Sequence, residues 1–199
     1  MRISKVYTRT GDAGKTHLAG GQEIWKDAIR VDAYGTVDEL NALIGLARVF
    51  NQDMPESSGR QRIEIFLTEV QHKLFDLGSL LATAPGTVFR NMPTVTQADV
   101  DRLEAAIDVC QLDLEPLKEF ILPGGGRVSG FLHQARTVCR RAERICVKLS
   151  REESVDVLYV MYLNRLSDAL FVYARWIAKV HGEAEFQWER RSSTKEAES

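Results

Sequence analysis

The sequence predicts an all-α protein: a five-helix bundle preceded by an irregular N-terminal arm. Three observations carry the prediction. Five segments repeat apolar residues at a spacing of three to four, the period of one helix face. The stretches between them are short and rich in Pro, Gly, Ser and Asn, as turns between helices are. No alternating, strand-like pattern reaches comparable length. Long helices on short loops imply a mostly antiparallel bundle. With 199 residues, 44% of them hydrophobic, the chain can bury one sizeable core. Residues 1–190 read as a single domain without internal repeats. Residues 191–199, in the polar run RRSSTKEAES, read as a disordered tail.

Roughly the first 25 residues form the arm, because they lack any helical period. The first helix then carries Val37, Leu40, Leu43, Ile44 and Ala47. Asp38 and Glu39 lie just after Gly35, where they read either as first-turn acids favoured by the helix dipole or as partners for cations elsewhere. A break at Asn51–Gly59 precedes the second helix, with Ile63, Phe66, Leu67, Val70, Leu74, Leu77 and Leu81 on one stripe. After a break at Ala84–Thr96, Thr96 and Asp99 have capping-box spacing, with Asp in place of the usual Glu or Gln. They introduce the third helix, marked by Val100, Leu103, Ile107 and Cys110. The run LPGGG, Leu122–Gly126, separates it from the fourth, with Val128, Leu132, Ala135, Cys139, Ala142, Ile145 and Leu149. The fifth carries Leu158, Met161, Leu166, Ala169, Leu170, Tyr173 and Ile177.

Composition narrows the function. A net charge of −2 gives no footprint for nucleic acid or a membrane surface. No apolar run is long enough to span a bilayer. The opening MRISKVYTRTGD has no apolar signal core, so a cytoplasmic location is expected. Cys110, Cys139 and Cys146 are odd in number and lack metal-ligand spacing, so they read as buried free thiols. The four histidines are scattered and a single Glu-x-x-His occurs, Glu69–His72, where a di-metal site in the bundle core needs two, which argues against such a site.

Four features exceed what a plain bundle needs. The arm contains TRTGDAGKT, which ends like a phosphate-binding P-loop. That pattern requires a glycine five positions before Gly14, where Arg9 stands; Gly11 is only three away. The inventory still suits polyphosphate: hydroxyls at Thr8, Thr10 and Thr16, flexible backbone at Gly11 and Gly14, cations at Arg9, Lys15 and Lys26. In the fourth helix, Arg136, Arg140 and Arg144 repeat every four residues on one face, with Glu143 nearly aligned and Arg141 pointing elsewhere. This row is either a salt-bridged surface or a set of guanidinium forks for phosphate. In the fifth helix, Asn164, Arg165 and Asp168 interrupt an apolar run, so they are either paired across helices or functional. Ahead of the glycines, Phe120, Ile121 and Leu122 either fold into the core or form an apolar lip for a large flat ligand.

Taken in order, YTRTGDAGKT, AYGTVDELNALIG, FILPGG, ARTVCRRAER and NRLSDALF resemble the PduO-type ATP:corrinoid adenosyltransferases, from about Val6 to about Trp188. The resemblance implies a five-helix homotrimer with ATP and cobalamin at the subunit interfaces. It implies that Thr8, Arg9, Thr10, Gly11, Thr16 and His17 form an ATP-binding loop, and that Lys26, Arg140, Glu143, Arg144 and Asn164 belong to the ATP site. Asp38 and Arg136 become a carboxylate–arginine pair across the interface, and Phe120 the aromatic residue beneath the corrin ring. Ala13 departs from the family, which often has lysine there, and Gly126 adds a third glycine. The implied reaction transfers the 5′-deoxyadenosyl group of ATP to cob(I)alamin, with Mg²⁺ assisting. It needs no side-chain nucleophile or general base, in keeping with the lack of a Ser/His/Asp or Cys/His constellation. A cob(II)alamin reductase and an adenosylcobalamin-dependent enzyme are the implied protein partners. A second reading is a carrier that binds adenosylcobalamin and delivers it with little turnover.

Overall fold

The computed structural model describes residue 7 and residues 9–189; the expectations for Thr8 and for the 191–199 tail lie outside them. Five helices form as anticipated: α1 (Ile29–Gln52), α2 (Ser58–Leu81), α3 (Gln97–Gln111), α4 (Gly126–Leu149) and α5 (Val157–Val180). Short strands accompany them: β1 (Lys15–His17), β2 (Glu23–Trp25), β3 (Ile121–Leu122) and β4 (Phe186–Gln187).

Local chemistry sets the helix starts. The Ser57 hydroxyl accepts the Arg60 amide at 3.1 Å ahead of α2. At α3 the Thr96 amide donates to Asp99 Oδ2 at 2.8 Å, completing the anticipated capping box. Asp156 caps α5 by accepting from the Leu158 amide at 2.9 Å. α1 begins at Ile29, earlier than its stripe suggested, because Ile29 and Ala33 continue the apolar face past Gly35. Asp38 and Glu39 therefore lie in the helix interior, and the first-turn acid is Asp32.

Helices α1, α2, α5 and α4 form a ring around one core that includes Leu40, Ile44, Leu67, Leu74, Leu132 and Leu166, all essentially fully buried. Pairings run in opposite senses along neighbouring helices. On α1 and α4, Glu39 pairs with Arg141 while Phe50 stacks on Phe131 with centroids 5.2 Å apart. On α2 and α5, Phe66 stacks on Tyr173. On α4 and α5, the Cys139 thiol donates to the Leu163 carbonyl at 3.1 Å. The three cysteines are buried and unbridged.

α3 lies outside the ring, parallel to α5: Arg165 reaches Glu104 at 2.7 Å, and further along Trp176 Nε1 donates to Asp113 Oδ2 at 2.9 Å. The segment after α3 crosses the C-terminal end of α5, held there by Trp176 and by Arg175, which donates to the Glu115 carbonyl. It then forms β3, which pairs antiparallel with β4 beyond α5. Gly126 has φ +92°, and a Cβ there would collide with the Glu183 carboxylate. Gly126→Ala is expected to lower unfolding stability by about 1–3 kcal/mol and to free the β4 segment from β3, read as faster limited proteolysis between 182 and 188.

Candidate active site

The arm is a built element. β1 and β2 form a hairpin, registered Lys15 to Trp25 and His17 to Glu23. It is stitched to the end of α2 by the Ala19 amide on the Ala82 carbonyl and the Ala84 amide on the Ala19 carbonyl, both 2.9 Å. Buried Arg30 secures this end of the bundle. Its guanidinium donates to the Leu81 carbonyl at 2.8 Å and pairs with Glu153 at 2.5 Å, tying α1 to α2 and to the α4–α5 turn.

Within the arm, two predicted residues meet. The Lys26 ammonium lies over Gly11, where a Cβ would stand 3.1 Å from Nζ, and the Lys26 amide donates to the Gly14 carbonyl at 2.9 Å. Lys15, the lysine of the Gly-Lys-Thr run, is otherwise engaged: it pairs with Glu23 at 2.6 Å and sits 5.2 Å from the Trp25 ring centroid. Its hydrogen bond and charge hold the Glu23 carboxyl below the usual range. Arg9 takes a left-handed backbone at φ 60° and covers Tyr7. Thr10 and His17 are exposed, and Thr16 is half-buried in β1.

The second part is a cleft of about 390 Å³ between α4 and α5, lined by Arg140, Glu143, Arg144, Val147, Lys148, Arg151 and Asn164. Asn164 donates to Glu143 Oε1 at 3.0 Å, fixing the one carboxylate lining the cleft. Arg144 Nη1 donates to the Arg140 carbonyl at 3.1 Å. Arg140 makes no ion pair among the described residues. The cations are thus arrayed for an external anion and not neutralised along the helix. Arg141 points away and pairs with Glu39. Lys148 and Arg151 were missed in the sequence, although Lys148 continues the four-residue period of the row.

Arg140 also borders a neighbouring cleft of about 570 Å³, with Arg136, Phe171, Ile107 and Asp168 among its lining. Arg136 is half-buried, its Nε has no partner among the described residues, and its guanidinium lies 5.9 Å from the Phe171 centroid. Burial and the like charge of Arg140 both lower its pKa. Such a cation needs an acid that its own helices do not supply. Asp38 does not supply it within this chain, since it is exposed beside a separate cleft between α1 and α2 with Tyr34, Leu74 and Phe75. Asp168, one of the residues interrupting α5, pairs with Arg165 at 3.3 Å, so these two are structural partners.

Phe120 stands 79% exposed at the start of β3, and its carbonyl accepts the Trp188 amide at 2.6 Å. Leu122, Phe186 and Trp188 are exposed on the same small sheet and its flank, which makes the loop an apolar lip. Phe120 is near the N-terminal end of α4, and Arg140 lies roughly 20 Å further along that helix at 1.5 Å per residue. The arm attaches at the end opposite Phe120, and among the described residues neither cation-lined cleft includes an arm residue. One chain thus carries the three parts without assembling them into one pocket.

Comparison with known proteins gives a concordant result. The family described as cobalamin adenosyltransferase matches residues 6–177. The chain is 44% identical to the cobalamin adenosyltransferase of Cupriavidus metallidurans, covering 95% of this chain and 96% of that protein. It is 42% identical to the corrinoid adenosyltransferase of Bacillus subtilis, over 94% and 93% of the two chains. Among solved structures it resembles a single-residue variant of the PduO-type ATP:corrinoid adenosyltransferase from Lactobacillus reuteri complexed with cobalamin and ATP. That match has a TM-score of 0.84 and 36% identity, covering 92% of this chain and 96% of the other.

Proposed function

The chain belongs to the cobalamin adenosyltransferase family, and from that premise we infer that it transfers the 5′-deoxyadenosyl group of ATP to cob(I)alamin. The observation that carries this is the match over nearly the whole chain to a protein seen with both cobalamin and ATP. The cobalt of cob(I)alamin supplies an electron pair to C5′ of ATP. The Co–C bond forms, the C5′–O bond breaks, and triphosphate leaves with its electrons. The protein positions the two substrates and stabilises negative charge on the leaving group.

The residue roles form part of the same proposal. Arg140, Arg144 and Asn164, with Glu143 held by Asn164, bind the nucleotide in the α4–α5 cleft. The arm contributes Arg9, Thr10, Gly11, Thr16, His17 and Lys26, with Thr8 adjoining them in sequence. Lys15, paired with Glu23, is assigned no role. Mg²⁺ is read as a metal carried by the nucleotide. Among the described residues no group of three or more His, Cys, Asp or Glu is arranged to hold a metal, so triphosphate oxygens supply most ligands and Glu143 offers the protein oxygen of the cleft.

A homotrimer with its sites at subunit interfaces suits the separation of arm, cation row and lip within one chain. It also suits Arg136, which lacks an acid, and Asp38, which lies exposed beside an apolar cleft. Asp38→Asn is expected to raise the KM for corrinoid by about tenfold, the size of a lost charge-assisted bond. Exchanging the two residues, Asp38→Arg with Arg136→Asp, should restore part of it. Sedimentation must report the same oligomer throughout, and unchanged kinetics would remove the pair from the site. The remaining expectations concern the cell: a reductase that delivers the electron to cob(II)alamin, an adenosylcobalamin-dependent enzyme that takes the product, and a cytoplasmic location. No helix among the described residues is long and apolar enough to cross a membrane.

The direct test mixes purified protein, ATP, Mg²⁺ and chemically reduced cobalamin. Loss of cob(I)alamin absorbance with equal formation of light-sensitive adenosylcobalamin and triphosphate is the expected result. Binding of both substrates without turnover would instead establish a carrier.

A further inference from the structure

The α4–α5 cleft runs on past the residues assigned above. Beyond Arg144 it is lined by Val147, Lys148 and Arg151 at the C-terminal end of α4 and the following turn. Lys148 and Arg151 are both exposed, and neither forms an ion pair among the described residues. One acid of that turn, Glu153, is drawn away by buried Arg30 at 2.5 Å. The cleft therefore sets four cations, Arg140, Arg144, Lys148 and Arg151, against the single carboxylate of Glu143, which Asn164 holds. In a chain of net charge −2 this local excess attracts an anion of several charges.

The cleft is also polar along its length in a definite sense. At the Arg140 end it adjoins the cleft containing Phe171, Ile107 and Val172, which offers apolar surface to a ring. At the Lys148 and Arg151 end it offers cations and the short aliphatic side of Val147. A nucleotide lying in it places its adenosine toward Phe171 and its phosphate tail toward the α4–α5 turn.

We propose that Lys148 and Arg151 form the terminal-phosphate subsite of this cleft, selecting nucleoside triphosphate over diphosphate and retaining inorganic triphosphate after transfer. The proposal rests on the assignment of the cleft to ATP. The other cleft cations contact the phosphates near the reacting carbon. Lys148 and Arg151, one turn or more further along, reach only the last phosphate, so their loss weakens triphosphates selectively.

The test is calorimetric titration of the full chain with ATP, ADP and inorganic tripolyphosphate, for the natural sequence and for a Lys148→Gln, Arg151→Gln double variant. Two charge-assisted contacts predict weakening of ATP and tripolyphosphate by about tenfold or more, with ADP changed by less than about twofold. Arg90→Gln, an exposed cation elsewhere, should leave all three constants unchanged. Equal weakening of ATP and ADP by the double variant would reduce Lys148 and Arg151 to a general positive field and overturn the subsite. Unchanged constants would overturn it as well. If the natural chain makes adenosylcobalamin but the double variant keeps its preference for ATP, the subsite alone fails. If the natural chain binds neither ATP nor tripolyphosphate, the assignment of the cleft to ATP fails first.

Discussion

Arg140→Ala is expected to lower kcat for adenosylcobalamin formation by about 10²- to 10³-fold, the usual result of removing a donor aimed at developing charge. The reason lies in its surroundings. Arg140 is exposed, makes no ion pair among the described residues, and is the one side chain shared by the α4–α5 cleft and the adjoining Phe171 cleft. With ATP lying as proposed, it would stand where the adenosine and phosphate halves meet, beside the C5′–O bond that breaks. Because the side chain supports no packing, the unfolding free energy should stay within about 0.5 kcal/mol. Arg141→Ala is the matched control, since it removes a neighbouring arginine whose partner is Glu39 and should cost little. If Arg140→Ala turned over at an undiminished rate, or if both variants lost activity alike, the cation row would not be the ATP site.

Phe120→Ala is expected to separate two measurements that otherwise move together. Starting from cob(II)alamin with a reductase, turnover should fall at least about tenfold further than turnover starting from chemically prepared cob(I)alamin, a difference of about 1.4 kcal/mol in barrier. In the role proposed for it, the Phe120 ring would lie beneath the corrin, displace the lower axial ligand and make the cobalt easier to reduce, a service that pre-reduced cobalt would not need. The structure gives the ring the freedom to act so. It is 79% exposed, while the backbone beneath it is fixed by the Trp188 amide on the Phe120 carbonyl at 2.6 Å. Truncation therefore removes the ring and leaves the β3–β4 ladder in place. Equal losses in the two assays would assign Phe120 to corrin binding alone.

Much of this was legible in the residues. The apolar stripes identified all five helices, because a helix must turn one face to the core and a period of 3.6 marks that face whatever lies opposite. Thr96 and Asp99 announced the start of α3 for an equally local reason. The arm, the arginine row and Asn164 stood out because polar and glycine-rich runs at these spacings have no use in a plain core. Failures of the sequence reading occurred where an answer depended on a distant segment. β4 was invisible, since two residues pair with β3 only because α5 ends beside the crossing loop. The Gly-Lys-Thr lysine gave no sign that Glu23 would occupy it, and Arg165 could not declare Glu104 on α3 as its partner, although its pair with Asp168, three residues on, is local.

By itself, then, the sequence determined the helices, their buried faces and the chemical stock of the site: hydroxyls and glycines in the arm, guanidiniums on α4, an aromatic lip before it. The tertiary structure decided which of those groups are already satisfied. It engaged Lys15 with Glu23, Arg141 with Glu39 and Glu153 with Arg30, and left Arg140 without an ion pair among the described residues. It set Asp38 and Arg136 at separate clefts, placed Phe120 at the end of the bundle opposite the arm, and among the described residues left the arm out of both cation-lined clefts. The physical reason is that periodicity fixes how a helix rotates toward the core, whereas the partner of a surface charge depends on the order of helices around the ring, which hydrophobic pattern does not encode.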